Sequence, residues 1–127
     1  MKVELGGKTY NFEVTAGTIR LYRKLLNKDI LVETELLEKI KDKVKRATLE
    51  SEIYENLTYV LCYQSDNTIG TIEEFFSTLS IQELADAEVK AIECWIAGMQ
   101  TTEKSKKINP LFMGGCEYQK NITTLQL

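Results

Sequence analysis

The side chains in this sequence that could do chemistry are carboxylates, lysines and three thiols, because it contains no histidine. The commonest general base is therefore missing, and neither a Ser–His nor a Cys–His nucleophile pair can be assembled. Carboxylates remain as candidate acids and bases, and two close pairs stand out: Glu73 with Glu74, and Glu33 with Glu35. Residues one or two apart do not face each other on a helix, and acidic residues collect in first helical turns, where they meet the positive end of the helix dipole. Both pairs read as helix-terminal charges rather than as a catalytic dyad. Cys62, Cys94 and Cys116 are odd in number and widely spaced. With no CxxC and no histidine, a zinc site is not expected. Cys62 and Cys94 fall in apolar helical stretches and read as buried thiols. Cys116 follows Gly114-Gly115 and has no obvious neighbour that would lower its pKa. Gly6-Gly7 invites a phosphate-loop reading, but the GxxxxGK[ST] pattern and a helix directly after it are absent, as is the DxDxDG loop of a calcium site.

These residues predict no catalytic group, no cofactor and no metal, and a chain that works by binding other proteins. Its candidate contact is Leu111, Phe112 and Met113, a short apolar run after Pro110 inside a polar stretch. Such a run either docks into a groove of a partner or packs back on its own domain. Six tyrosines add side chains of the kind enriched at interfaces.

Charge narrows the class of partner. The net charge is −3 and the pI about 5.1. Nucleic-acid binding needs a basic surplus to displace counterions, so no nucleic acid is expected. The densest basic stretch, Lys39, Lys41, Lys43, Lys45 and Arg46, is interleaved with Glu35, Glu38 and Asp42 and reads as a solvated helix face. Lys104, Lys106 and Lys107 form a second, shorter cluster. No apolar run approaches the roughly 18 residues of a membrane span, and the opening Lys2-Val3-Glu4-Leu5 is not a signal peptide, so a cytoplasmic location with no membrane partner is expected.

The elements that must position these residues follow from periodicity. With 127 residues, 43% hydrophobic and 28% charged, the chain suits one domain. Val3 and Leu5 alternate with polar residues, as do Tyr10, Phe12 and Val14, and Gly6-Gly7 between them predicts a β-hairpin with Val3 opposite Tyr10. A lone hairpin is marginal in water, so its oily side must lie on the helices that follow. From Thr15 or Thr18 the period becomes helical, with Ile19, Tyr22, Leu25 and Leu26 on one stripe and a break at Asn27-Lys28-Asp29. A second helix is predicted from Ile30 or Thr34 to Lys45, with Leu36, Leu37, Ile40 and Val44 on one face. A third begins near Thr48 or Ser51, carries Ile53, Leu57, Val60 and Leu61, and stops at Ser65-Asp66-Asn67. Thr71-Ile72-Glu73-Glu74 and Ser80-Ile81-Gln82-Glu83 both have capping-box spacing and start the fourth and fifth helices. The fifth is expected to turn Ile81, Leu84, Ala91, Ile92, Trp95, Ile96 and Met99 inward, run to about Ala97 and end at Gly98. The fold class is thus mainly α: an N-terminal β-hairpin, a bundle of about five helices over residues 1–99, and a polar, loose C-terminal tail over residues 100–127.

The opening Val3-Glu4-Leu5-Gly6-Gly7-Lys8-Thr9-Tyr10-Asn11-Phe12 resembles the start of tail assembly chaperones of long-tailed phages and prophages of Gram-positive bacteria, which open on a hydrophobic-x-hydrophobic-x-Gly-Lys-x-Tyr-x-Phe hairpin. The helix Thr18-Ile19-Arg20-Leu21-Tyr22-Arg23-Lys24-Leu25 and the section Gly70-Thr71-Ile72-Glu73-Glu74-Phe75-Phe76 are in keeping with it. The resemblance covers about residues 1–99. It implies a non-catalytic helical protein of the bacterial host cytoplasm, absent from the mature virion. Such a protein coats the tape measure protein, self-associates into oligomers or a spiral, and helps recruit tail tube subunits. A reading from another class is a small phage structural protein, or an adaptor that binds one target.

Overall fold

The computed structural model describes residues 1–100, excluding the side chain of Gln100. Two strands, β1 (Lys2–Leu5) and β2 (Lys8–Asn11), lead into five helices: α1 (Ala16–Leu26), α2 (Ile30–Lys39), α3 (Lys43–Ser65), α4 (Ile72–Phe76) and α5 (Ile81–Gln100). Residues 1–96 make one compact unit; a second takes in residues 97–127. The C-terminal stretch that carries Leu111, Phe112, Met113 and Cys116 lies outside the described residues.

The hairpin has the expected register, with Val3 across from Tyr10 and Leu5 across from Lys8. Gly6 and Gly7 take φ values of 62° and 79°, the left-handed conformation that the turn requires and that side chains resist. The oily side of the ribbon, Val3, Leu5, Tyr10 and Phe12, is buried with Tyr22, Ile30, Ile53, Leu57, Leu61 and Phe75 in one core. Each such side chain, fully buried, contributes about 1.5–3 kcal/mol. Polar groups fasten the hairpin to the end of α3: Lys8 pairs with Asp66, the Asn11 amide donates to Ser65 Oγ at 2.9 Å, and Gln64 Nε2 donates to the Glu13 carbonyl at 2.7 Å. The Cys94 thiol of α5 lies 3.3 Å from the Phe12 carbonyl and donates to it.

Thr15 and Thr18 share the start of α1. Thr15 is the N-cap, and Thr18 closes the capping box from the N3 position. Asn27, at φ 55°, ends the helix in the left-handed conformation that asparagine tolerates, and Asp29 caps α2 by accepting from the Leu31 and Val32 amides.

The second helix is shorter than its sequence pattern suggests. It stops at Lys39, and Ile40 is extended, with ψ 124°. Asp42 then caps a new helix by accepting from the Val44 and Lys45 amides at 2.9 and 3.1 Å. A capping aspartate inside a continuous apolar period therefore divides the predicted helix and lengthens α3 to 23 residues. Leu36 and Val44 consequently leave the face assigned to them: Leu36 is exposed and Val44 is 75% exposed, whereas Leu37 and Ile40 are half-buried.

Both later capping boxes form. Thr71 and Glu74 exchange bonds at 2.9 and 3.2 Å, and Ser80 and Glu83 at 2.9 and 3.1 Å. Helix α5 does not end at Gly98 but continues to Gln100. Glycine weakens a helix interior by about 1 kcal/mol, which does not by itself end one. Its buried stripe is Ala87, Ala91 and Cys94, with Leu84, Ile92 and Trp95 half-buried; Ile81, Ile96 and Met99 are exposed rather than inward-facing. The hydrophobic arc of this helix is wider than one neighbouring layer can cover, so the small residues sit innermost. Among the described residues no helix is long and apolar enough to cross a membrane.

Candidate docking groove

The residues whose chemistry was considered first have structural roles here. Glu33 accepts from the Tyr22 hydroxyl at 2.6 Å, and Glu74 is committed to its capping box. Burial pushes the Cys62 thiol up to about 12, so the thiolate that would act as a nucleophile is suppressed. Cys94 is also buried and unlinked. Among the described residues no three His, Cys, Asp or Glu side chains gather where a metal ion could be held.

What the described residues do form is a groove. It has a volume of about 600 Å³ and is walled by Leu25 and Leu26 at the end of α1, by Tyr59 and Tyr63 of α3, and by Ile72 at the start of α4. Its mouth carries Asn67, Thr71, Glu73 and Glu74. Each wall follows from a local signal. Asn27 ends α1 immediately beyond Leu25 and Leu26, so these two side chains stand at an open helix end. Thr71 starts α4 immediately before Ile72. Tyr59 forms the floor: its hydroxyl donates to the Gly70 carbonyl at 2.6 Å, and its ring meets Tyr63, Phe75 and Phe76 at centroid distances of 6.1, 6.3 and 6.4 Å. Gly70 carries φ 87°, and a side chain there would strike the Glu74 carboxylate at 2.6 Å, so glycine lets the chain turn tightly into the cap. Burial, then Tyr63, Glu73 and Glu74, raise the pKa of the Tyr59 hydroxyl. It stays a neutral donor at physiological pH.

The lining is shared between the apolar side chains of Leu25, Leu26, Tyr59, Tyr63 and Ile72 and polar or acidic groups at the start of α4. This arrangement suits an aliphatic or aromatic side chain of a partner with a cation beside it. The unit presents further exposed apolar side chains on helices: Val32 and Leu36 on α2, Val44 on α3, and Ile81, Val89 and Ile96 on α5. The sequence marks Leu25 and Leu26 as apolar positions, Thr71-Ile72 as a helix start, and a third-helix stripe of Ile53, Leu57, Val60 and Leu61 beside which Tyr59 and Tyr63 fall. Their meeting in an open groove depends on how α1, α3 and α4 converge, which no local spacing records. Val89 could have been found from sequence by counting a second helical stripe on α5.

Comparison of the chain with models of protein families, with curated proteins and with solved structures finds no match.

Proposed function

We propose that this chain is a non-catalytic phage tail assembly chaperone that binds the tape measure protein, keeps it soluble in the host cytoplasm and helps recruit tail tube subunits. The observation that carries this reading is the open groove in which Leu25, Leu26, Tyr59, Tyr63 and Ile72 supply apolar surface, set in a helical unit that also leaves Val32, Leu36, Val44, Ile81, Val89 and Ile96 exposed. A holdase for long amphipathic helices needs such surfaces, together with enough surface charge to stay in solution itself. The charged fraction of 28% and the net charge of −3 supply the second requirement. The hairpin and first-helix resemblance to tail assembly chaperones supports the same reading. Tyrosine and leucine in a shallow groove hold many partner sequences through burial rather than through a fixed hydrogen-bond pattern.

The test is co-purification with a segment of a phage tape measure protein, using the full chain and a version ending at Gln100. A soluble complex with the full chain is expected. Its loss with the short version would place the contact in residues 101–127, around Leu111, Phe112 and Met113. Mass spectrometry of purified virions separates this reading from a structural role, since the chaperone should be missing there. A chain found in virions, or one that ignores the tape measure segment and holds a single other target, would overturn it.

A further inference from the structure

Helix α5 carries two apolar stripes, and only one of them is used by the core. The first runs Leu84, Ala87, Ala91, Cys94 and Trp95, all buried or half-buried. The second runs Ile81, Ala85, Val89, Ile92 and Ile96, at spacings of four, four, three and four residues. Those spacings keep the five side chains on one face of the helix. Over about 22 Å of helix it faces outward at Ile81, Ala85, Val89 and Ile96, with Ile92 half-buried. Ile81 is 90% exposed, Val89 53% and Ile96 49%.

The charges nearest this seam are acidic. Asp86 and Glu93 stand along one edge, each exposed. Along the other edge stands Glu88, half-buried and close enough to Glu55 of α3 that burial, and then the Glu55 charge, raise its pKa. Lys90, the one basic residue of α5, lies one turn from both Asp86 and Glu93, on the outer side of that edge. A second copy laid on this face would bring Asp86 and Glu93 against their own equivalents, which is repulsive. A helix with lysine or arginine at its flanking positions would meet opposite charges on both edges.

We propose that the Ile81–Ile96 face of α5 is a docking seam for an amphipathic helix of a partner protein whose apolar stripe is bordered by basic residues. This inference rests on the reading of the chain as a binder of long helices, and it names the charge class of helix taken. The seam supplies burial, and the acidic borders select the partner and fix its register.

The experiment uses the full chain and two synthetic peptides about four turns long. Both carry the same leucine seam; one is flanked by lysine and the other by glutamate. Fluorescence anisotropy should show the lysine peptide bound, the glutamate peptide at least on the order of tenfold weaker, and the lysine complex weakened by salt. Val89→Asp with Ile96→Asp should abolish binding while leaving the circular dichroism spectrum unchanged, because both side chains are exposed. Asp86→Lys with Glu93→Lys should reverse the peptide preference even if the aspartate variant folds poorly. Equal binding of the two peptides, no binding of either, or no effect of the seam substitutions would overturn the proposal. So would a concentration-dependent oligomer that Val89→Asp dissolves, since the occupant would then be a second copy. If the chain holds a tape measure segment but not the lysine peptide, this face is refuted while the chaperone reading stands. If it binds the peptide but no tape measure segment, the reverse holds.

Discussion

The Tyr22 hydroxyl of α1 donates to the Glu33 carboxylate of α2 at 2.6 Å, and the tyrosine ring is completely buried. This bond holds α2 in place by its inner face while Val32 and Leu36 point outward. It matters because α2 anchors few apolar side chains: Ile30 is buried and Leu37 half-buried. Tyr22→Phe should lower unfolding stability by about 1.5–3 kcal/mol, as expected for a hydrogen bond to a charged acceptor. Glu33→Gln should cost less, since an amide oxygen can still accept. Urea denaturation followed by circular dichroism measures both.

The same tyrosine and a thiol set the alkaline limit of the fold. Burial, followed by the Glu33 carboxylate, pushes the Tyr22 pKa far above its ordinary value of 10.0. Burial also lifts Cys62 from 9.0 to about 12. Both groups are neutral in the folded chain and ionise more easily in the unfolded one. Their contribution is therefore fully present below about pH 9 and is lost as pH rises towards 12. Thermal melts across pH 8 to 11 should show a falling midpoint. Cys62→Ala should flatten the part of that slope that begins near pH 9.

The hairpin turn offers a test of backbone strain. Gly7, at φ 79°, has nothing within 4 Å of where a Cβ would sit, so Gly7→Ala pays only the conformational cost, about 1 kcal/mol. Gly6, at φ 62°, would place its Cβ 3.0 Å from Leu79 Cδ2. Gly6→Ala should destabilise by more, because Leu79 must shift as well. Gly7→Asn should recover part of the loss, since asparagine tolerates this conformation. Denaturation midpoints of the three variants rank them.

The short helix α4 depends on its cap. Thr71 Oγ1 accepts from the Glu74 amide, and the Glu74 carboxylate accepts from the Thr71 amide. Thr71→Ala should cost about 1 kcal/mol. Amide hydrogen exchange at Glu74 should quicken, and binding in the groove should weaken because Ile72 loses its fixed position. Unchanged exchange at Glu74 would mean that packing of Phe75, rather than the cap, holds this helix.

Most of the fold could be read in the sequence where a side chain acts within one turn of itself. Gly6-Gly7, Asn27, Asp29, Thr71 and Ser80 each mark a boundary through a bond or a torsion that belongs to its immediate neighbours. Asp42 is a cap of the same kind, yet the apolar period through Leu37, Ile40 and Val44 runs across it and hides it. The period suggested one helix where the cap makes two. On α5 the reverse problem arises, because an arc of more than half a turn is apolar and periodicity alone cannot say which part meets the core. Ala87, Ala91 and Cys94 face inward since the closest approach of packed elements favours small side chains. The bulkier Ile81, Val89 and Ile96 are left outside. The groove was the least legible feature, because Leu25, Tyr63 and Ile72 come together only through the packing of three helices. Leu111, Phe112 and Met113, the contact expected from sequence, lie outside the described residues.

The proposed function of this chain is to shield the helices of a tape measure protein. Its most direct test is the soluble fraction of a tape measure segment expressed alone, with the full chain, and with a Tyr63→Asp variant whose fold is verified by circular dichroism. The segment should be insoluble alone, soluble beside the full chain, and largely insoluble beside the variant, whose charge would sit among the apolar side chains lining the groove. A segment that stays equally insoluble beside the folded, soluble full chain would contradict it.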